Sequence, residues 1–110
     1  MDEGSGTTLV DSSSPANNGT TVGSPTWVTP GKVGSYTLSL SGSGQYATVA
    51  DASCLNPSNA ITLAAWIKPT KSAVATQYII KKAHVTGGTS GYELSLASSG
   101  LVFFRINNIG

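Results

Sequence analysis

The sequence predicts an all-β protein built as an antiparallel β-sandwich, and three observations support that prediction. Several short segments alternate apolar and polar side chains, and none has a helical period. Charged residues make up only 10% of the chain, so Ser, Thr, Asn and Gly supply most of its polar groups. These residue types suit turns and strand faces better than helices. Clusters of Gly, Pro and Ser separate the segments, as turns do in all-β domains.

Length and charge limit the possible functions. A chain of 110 residues with 39% hydrophobic residues has room for one modest core, so residues 1–110 are predicted to form a single domain. The net charge of +1 gives no electrostatic reason to bind nucleic acid. No apolar stretch is long enough for a membrane-spanning helix, so we expect no membrane insertion. The opening Met1-Asp2-Glu3 does not have the pattern of a signal peptide.

The first half of the chain predicts short strands joined by polar loops. The predicted strands are residues 7–10, 19–22, 35–40 and 45–49. In residues 35–40 the apolar side chains of Tyr36, Leu38 and Leu40 share one face. The Gly/Ser segment 41–44 predicts that this strand and the next one form a β-hairpin. One helical turn is expected near residues 53–55.

The longest apolar run, ITLAAWIKP at residues 61–69, predicts a central strand covered on both faces. Its alternate positions are apolar on one side, and the other side, which carries Trp66, is not polar either. Pro69 should end the hydrogen-bond ladder because proline has no N–H group. A buried helix is the alternative, but the run is short and turn residues flank it. We therefore expect Trp66 to pack in the core.

The second half predicts three further strands. Residues 76–82 form one of them, and residues 92–96 and 101–106 form a hairpin around the Ser98-Ser99-Gly100 turn. In this hairpin Tyr92, Leu94 and Leu96 alternate with polar residues, and Val102, Phe104 and Ile106 share one face.

Catalytic chemistry is poorly supported by the residues present. A glycosidase needs two carboxylates close together, whereas Glu93 is the only acid on its strand. The only histidine, His84, is predicted to lie in a Gly-rich loop, and no serine sits in a nucleophile-elbow motif. The single Cys54 cannot form an internal disulfide, and we expect a buried or half-buried structural thiol.

The order of the segments resembles bacterial laminin-G-like domains of the concanavalin A-like lectin/glucanase group. The matching stretches are DEGSGTTLVDSS (2–13), NNGT (17–20), TW (26–27), GKVG (31–34), LSLSGSGQYATVADAS (38–53), LNPSNAITLAAWIKPT (55–70), IIKK (79–82) and GYELSLASSGLVFFRI (91–106). Each stretch is weak evidence, but their joint order is specific and covers nearly all of the chain. The resemblance implies a concanavalin A-like jelly roll.

The resemblance also implies that the sandwich is incomplete in this chain. Similar domains have an aromatic-rich strand before the DEGSG-like segment and further strands after the last hairpin. A partial sandwich would leave apolar faces and strand edges without partners. If the chain is complete, we therefore expect self-association, with strands of another copy completing the sheets.

The resemblance further implies a calcium ion, which prefers hard oxygen ligands. The candidate ligands are Asp11, together with the loop that holds Asn17 and Asn18, and Asp51. An Asx turn, in which an aspartate caps its own loop, is the alternative role for both aspartates.

Aromatic side chains could form a platform for a sugar. The aromatic residues available for this role are Trp27, Tyr46 and Trp66, and Trp27, beside a turn, is the candidate ligand-binding residue. Asn18-Gly19-Thr20 fits an N-glycosylation acceptor at Asn18 if the protein follows a glycosylating secretory route.

Together these observations predict a noncatalytic carbohydrate-binding or adhesion module of laminin-G-like type, whose partner is a glycan or an extracellular protein. The resemblance implies an extracellular or cell-surface location. The alternative is a structural self-assembly module, and a glycoside hydrolase fragment is disfavoured. Apart from calcium, no cofactor is expected.

Overall fold

A computed structural model describes residues 1–69, 75–82 and 91–107 of the chain. Within these residues the structure contains β-strands and one short 3₁₀ turn, and no α-helix. The strands are β1 (Thr8–Leu9), β2 (Gly19–Val22), β3 (Thr26–Val28), β4 (Thr37–Ser39), β5 (Tyr46–Val49), β6 (Gln77–Lys82), β7 (Gly91–Leu96) and β8 (Val102–Asn107). The chain divides into two compact units, Met1–Leu55 and Asn56–Gly110.

The first unit holds two small antiparallel sheets. One has the order β1-β2-β5, and the other pairs β3 with β4. Gly19 is buried in β2 between Leu9 and Val49, where an added Cβ would lie 3.3 Å from the Val49 side chain and 3.5 Å from Leu9 Cβ. Leu9 is the buried apolar side chain of this sheet, so the small core of the unit lies at this contact.

The N-terminal residues fasten the loop before β4. Asp2 Oδ1 accepts hydrogen bonds of 2.6 Å from the backbone N–H groups of Ser35 and Tyr36. The ring of Tyr36 lies so close to Gly4 that an added Cβ would come within 2.7 Å of it. A carboxylate that accepts two backbone N–H groups fixes the local chain path.

The strands predicted in this unit are present, but the predicted hairpin of residues 35–49 is wrong. β4 pairs with β3, placing Leu38 opposite Trp27, and β5 pairs with β2, placing Tyr46 opposite Val22. The physical reason is that a Gly/Ser turn only allows a chain reversal, whereas pairing depends on contacts with distant strands. The predicted helical turn is present as a 3₁₀ turn, Ser53–Leu55.

The second unit holds one antiparallel sheet in the order β6-β7-β8. The β7–β8 hairpin is confirmed, with Leu96 opposite Val102 and the turn closed by the Ala97 N–H donating to the Leu101 carbonyl at 2.8 Å. A bulge between Tyr78 and Ile80 shifts the register of β6 against β7. Leu96 is buried in this unit.

The prediction of a buried central strand at residues 61–69 is wrong. These residues form no strand, and the side chain of Trp66 is 72% exposed. An apolar run indicates that a segment can be buried, but a strand also needs a neighbour to complete its ladder. No described strand pairs with this run. The core role predicted for Trp66 is therefore not observed.

The all-β fold class with antiparallel sheets is confirmed for the described residues. No helix in these residues is long and apolar enough to cross a membrane. The division of residues 1–110 into one domain stays a prediction, and His84 with its predicted loop lies outside the described residues.

Candidate functional site

One face of the β6-β7-β8 sheet gathers polar and aromatic side chains, and we call it the polar face. Its members are Tyr78 and Lys81 of β6, Glu93 and Ser95 of β7, and Phe103 and Arg105 of β8. The opposite face, the apolar face, carries Tyr92, Leu94, Leu96, Val102, Phe104 and Ile106. The alternation of side chains along β7 and β8 produces this separation.

Strand register places the charges of the polar face side by side. Glu93 on the middle strand lies opposite Lys81 on one neighbour and Arg105 on the other. Ser95 lies opposite Tyr78 and Phe103. The bulge in β6 lets Tyr78 and Lys81, three positions apart, reach the same face. The site is therefore a row of three charged residues beside a row with two aromatic rings.

The centre of the polar face is buried. Glu93 is only 1% exposed, and Ser95 is fully buried. Arg105 Nη2 donates to Glu93 Oε1 at 2.7 Å, and Ser95 Oγ donates to the same oxygen at 3.5 Å, the long limit for a hydrogen bond. Glu93 Oε2 is buried and has no hydrogen-bond partner. A buried carboxylate oxygen without a partner is costly, so it marks a place where a donor is wanted.

The rim of the polar face consists of two cation–π pairs. Lys81 Nζ lies 3.9 Å from the centre of the Tyr78 ring, and Arg105 Cζ lies 5.4 Å from the centre of the Phe103 ring. Tyr78, Lys81 and Arg105 are exposed. The rim therefore offers ring surfaces and hydrogen-bond donors to a ligand, and the centre offers an acceptor.

The carboxylate of Asp11, a predicted calcium ligand, is occupied by its own loop. Oδ1 accepts from the Ser13 N–H at 2.9 Å, and Oδ2 accepts from the Ser13 hydroxyl at 2.8 Å and the Asn17 N–H at 2.7 Å. These bonds, chiefly the one from Asn17, lower the pKa of Asp11 because they favour the charged carboxylate. Asp11 therefore forms an Asx turn.

The other predicted ligand, Asp51, is exposed in the segment after β5. The two segments approach each other, since Asn17 Nδ2 donates to Cys54 Sγ at 3.3 Å. The described residues contain no group of three His, Cys, Asp or Glu side chains that could hold a metal ion. This arrangement does not favour a preformed cation site, and calcium at Asp11 and Asp51 stays a prediction.

The three aromatic residues that the sequence offers for a sugar platform are not members of the polar face. Trp27 is half-buried in β3, where its Nε1–H donates to the Gly6 carbonyl at 3.1 Å. This contact indicates a role in holding the fold, and ligand binding by Trp27 stays a prediction. Tyr46 is exposed on β5, and Trp66 lines an open surface hollow with Ala64 and Ala65.

Asn18 is exposed at the start of β2, and its Oδ1 accepts from the Asp11 N–H at 2.9 Å. Glycosylation there stays a prediction. The expectation that Cys54 is buried or half-buried is wrong, since its side chain is exposed. The reason is its position in the 3₁₀ turn Ser53–Leu55, which buries none of its residues.

Inspection of single motifs missed the polar face. Glu93 has no second acidic residue near it in the sequence, and neither Tyr78 nor Arg105 belongs to a recognisable motif. A usable signal was present, since the turn after Leu96 fixes the hairpin register. Counting back from Leu96 opposite Val102 places Glu93 opposite Arg105.

Comparison with known proteins gives one match. The laminin-G family model of the concanavalin A-like lectin/glucanases superfamily matches residues 41–110, which is more than half of the chain. No curated protein and no solved structure matches this chain. The family is mostly noncatalytic, although its superfamily includes glucanases. The match implies a concanavalin A-like fold, of which this chain holds part. The chain belongs to the laminin-G-like family of the concanavalin A-like lectin/glucanases superfamily.

Proposed function

We propose that this protein is a noncatalytic carbohydrate-binding module of laminin-G-like type that acts outside the cell or at its surface. Its partner is a glycan, either free or carried by an extracellular protein. The observation that carries the proposal is the polar face, where the rings of Tyr78 and Phe103 form the row next to a buried Glu93 that has an unused oxygen.

The chemistry of the polar face matches that of a sugar. A pyranose ring has apolar C–H surfaces that pack on aromatic rings, and hydroxyl groups that both donate and accept hydrogen bonds. Tyr78 presents an exposed ring at the rim, and Arg105 presents donors beside it. A ligand lying across β6, β7 and β8 would use both kinds of contact at once.

The acid inventory supports binding without hydrolysis. Glycoside hydrolysis needs two carboxyl groups flanking the scissile bond. Glu93 is the only acidic residue among the six members of the polar face. The polar face therefore lacks the second carboxylate that a paired mechanism requires.

Replacing Tyr78 with alanine tests the proposal. We expect Tyr78→Ala to weaken glycan binding by roughly tenfold, because loss of one stacking ring removes about 0.5–1.5 kcal/mol plus its buried apolar area. The measurement is binding to an array of neutral and acidic oligosaccharides, followed by titration calorimetry with the strongest binder. Reducing-end release from β-glucans is measured in parallel, and none is expected.

Tyr46→Ala is the matched control. Tyr46 is 53% exposed and Tyr78 is 56% exposed, and both lie in strands, but only Tyr78 belongs to the polar face. Tyr46→Ala should leave glycan affinity unchanged. Equal losses in both variants would move the site away from the polar face, and failure of the wild-type protein to bind any glycan would reject carbohydrate binding.

Self-assembly is a second candidate function, and a different observation favours it. On the apolar face, Val102, Phe104 and Ile106 are all about half exposed along β8. β8 is also an edge of the sheet among the described residues. Exposed apolar side chains on an edge strand are typical of surfaces that pair with another chain.

A further inference from the structure

We infer that the polar face reads a pair of adjacent hydroxyl groups on an uncharged sugar, with one hydroxyl donating to Glu93 Oε2 and its neighbour accepting from Arg105. This inference rests on the proposed carbohydrate binding and names the class of sugar. It starts from the one buried side-chain oxygen in the described residues that lacks a partner.

The two oxygens of Glu93 differ in their environment. Oε1 accepts from Arg105 at 2.7 Å and from Ser95 at 3.5 Å, whereas Oε2 accepts nothing. Arg105 has donors on several nitrogens in a fixed planar fork. A carboxylate acceptor beside a guanidinium donor matches two neighbouring hydroxyl groups, because one of them can donate while the other accepts.

Charge decides which kind of donor fits Oε2. Both cross-strand neighbours of Glu93 are cations, Lys81 and Arg105. An ammonium ligand would be repelled by two positive charges, so a cationic donor is disfavoured. A ligand carboxylate is attracted by Lys81 and Arg105, but it has no proton to donate to Oε2 and is repelled by Glu93 itself. A neutral hydroxyl meets neither penalty.

Glu93 lies between Lys81 and Arg105 in the sheet, and we expect a ligand to reach Oε2 by displacing these two side chains. Lys81 and Arg105 are exposed side chains with several rotatable bonds. A ligand that accepts an N–H group of Arg105 should draw this side chain outward and bring a neighbouring hydroxyl to Oε2. Tyr78 and Phe103 lie opposite Ser95, two residues along β7 from Glu93.

A ligand-side series tests this inference on the unaltered protein. The probes are neutral gluco-, manno- and galacto-oligosaccharides, the corresponding uronate oligosaccharides, and monodeoxy analogues of whichever neutral sugar binds. We expect neutral sugars to bind more tightly than uronates. Removal of one hydroxyl should weaken binding by at least about tenfold, the typical effect of losing a hydrogen bond to a charged group. A monodeoxy series in which no position costs tenfold, or a preference for uronates, overturns the inference and leaves carbohydrate binding intact.

The Glu93→Gln variant links that hydroxyl to the carboxylate. If Glu93 reads it, the tenfold deoxy penalty should shrink to about twofold or less in Glu93→Gln, as coupled partners do in a double-mutant cycle. Glu3→Gln, the same substitution at a carboxylate outside the polar face, is the control and should keep the full penalty. A full penalty in Glu93→Gln overturns the inference.

Absence of binding to every sugar rejects the proposed function and this inference together. If Glu93→Gln does not fold, the monodeoxy series on the unaltered protein decides alone.

Discussion

The carboxylates of Asp11 and Glu93 use their oxygens differently. Asp11 is bound by donors of its own loop on both oxygens, from Ser13 and Asn17. Glu93 sits in the middle of a sheet, and only one of its oxygens has partners. A carboxylate that its own loop saturates stabilises that loop, whereas one with an unused oxygen can still bind a ligand. Residue type alone does not distinguish the two roles.

Acid titration should reveal the structural role of Asp11. The pKa of Asp11 is lowered, first by the Asn17 backbone N–H and then by Ser13. A group with a lowered folded-state pKa contributes stability above its ordinary pKa and loses that contribution as the pH falls through the folded value. We therefore expect wild type to exceed Asp11→Asn in free energy of unfolding at neutral pH, with the difference shrinking below about pH 4.

Urea denaturation at several pH values measures this difference. Glu3→Gln provides a comparison, because the Val10 N–H, donating to Glu3 Oε1 at 2.8 Å, lowers the pKa of Glu3 in the same way. Both variants should converge with wild type in acid. A difference between wild type and Asp11→Asn that stays constant from neutral to acidic pH would show that the charge of Asp11 is not what stabilises the loop.

At the scale of single elements, local signals predict where a strand lies better than they predict which strand it pairs with. The β7–β8 hairpin followed from alternation on both sides of a Ser-Ser-Gly turn, and the structure has it. β3 was not recognised, because Thr26–Val28 is three residues long and lies between Pro25 and Pro30. Its pairing with β4 places Trp27 opposite Leu38, and no local pattern encodes this register.

At the candidate sites, too, the sequence predicts features made by neighbouring residues better than features made by distant ones. Asp11 and its loop were recognisable because an aspartate beside Ser and Asn residues is a local turn signal. The polar face is not recognisable in this way, because its residues come from three different strands. The apolar residues at 61–69 show the opposite error: their pattern says that burial is favourable but not which surface provides it.

The junction between β2 and β3 depends on Gly23. Its φ is +75°, a backbone conformation that is unfavourable for residues with a Cβ atom. A Cβ added at this position would also overlap the carbonyl oxygen of Gly44. We expect Gly23→Ala to lower the free energy of unfolding by at least about 2 kcal/mol, through backbone strain and that overlap together. Urea denaturation followed by circular dichroism measures the change.

Gly42→Ala is the matched control for this prediction. Gly42 has a φ of +81°, but an added Cβ there would meet nothing within 4 Å. Backbone strain alone should cost about 1–2 kcal/mol. If both variants lose the same stability, the close approach of the Gly23 and Gly44 segments does not contribute.

At the scale of the whole molecule, the sheet of the second unit differs from an ordinary amphipathic sheet, because it buries polar side chains and exposes apolar ones. Glu93 and Ser95 are buried, while Val102, Phe104 and Ile106 on the opposite face are about half exposed. Exposed apolar side chains carry a hydration cost of about 25 cal/mol per Å² that association can remove. The two kinds of binding proposed above therefore use opposite faces of one sheet, and variants of one face can be tested without altering the other.

Sedimentation velocity tests association through the apolar face. We expect wild type to associate as its concentration rises, and the double variant Val102→Thr with Phe104→Thr to associate at least about tenfold more weakly, because burial of one such side chain contributes roughly 1.5–3 kcal/mol. Threonine keeps β-propensity, so the strand itself should persist.

Leu101→Thr is the control, since Leu101 is exposed but precedes β8. A folded wild-type monomer at every concentration would reject self-assembly, and an equal effect of Leu101→Thr would mean that exposed apolar residues act without regard to the strand face.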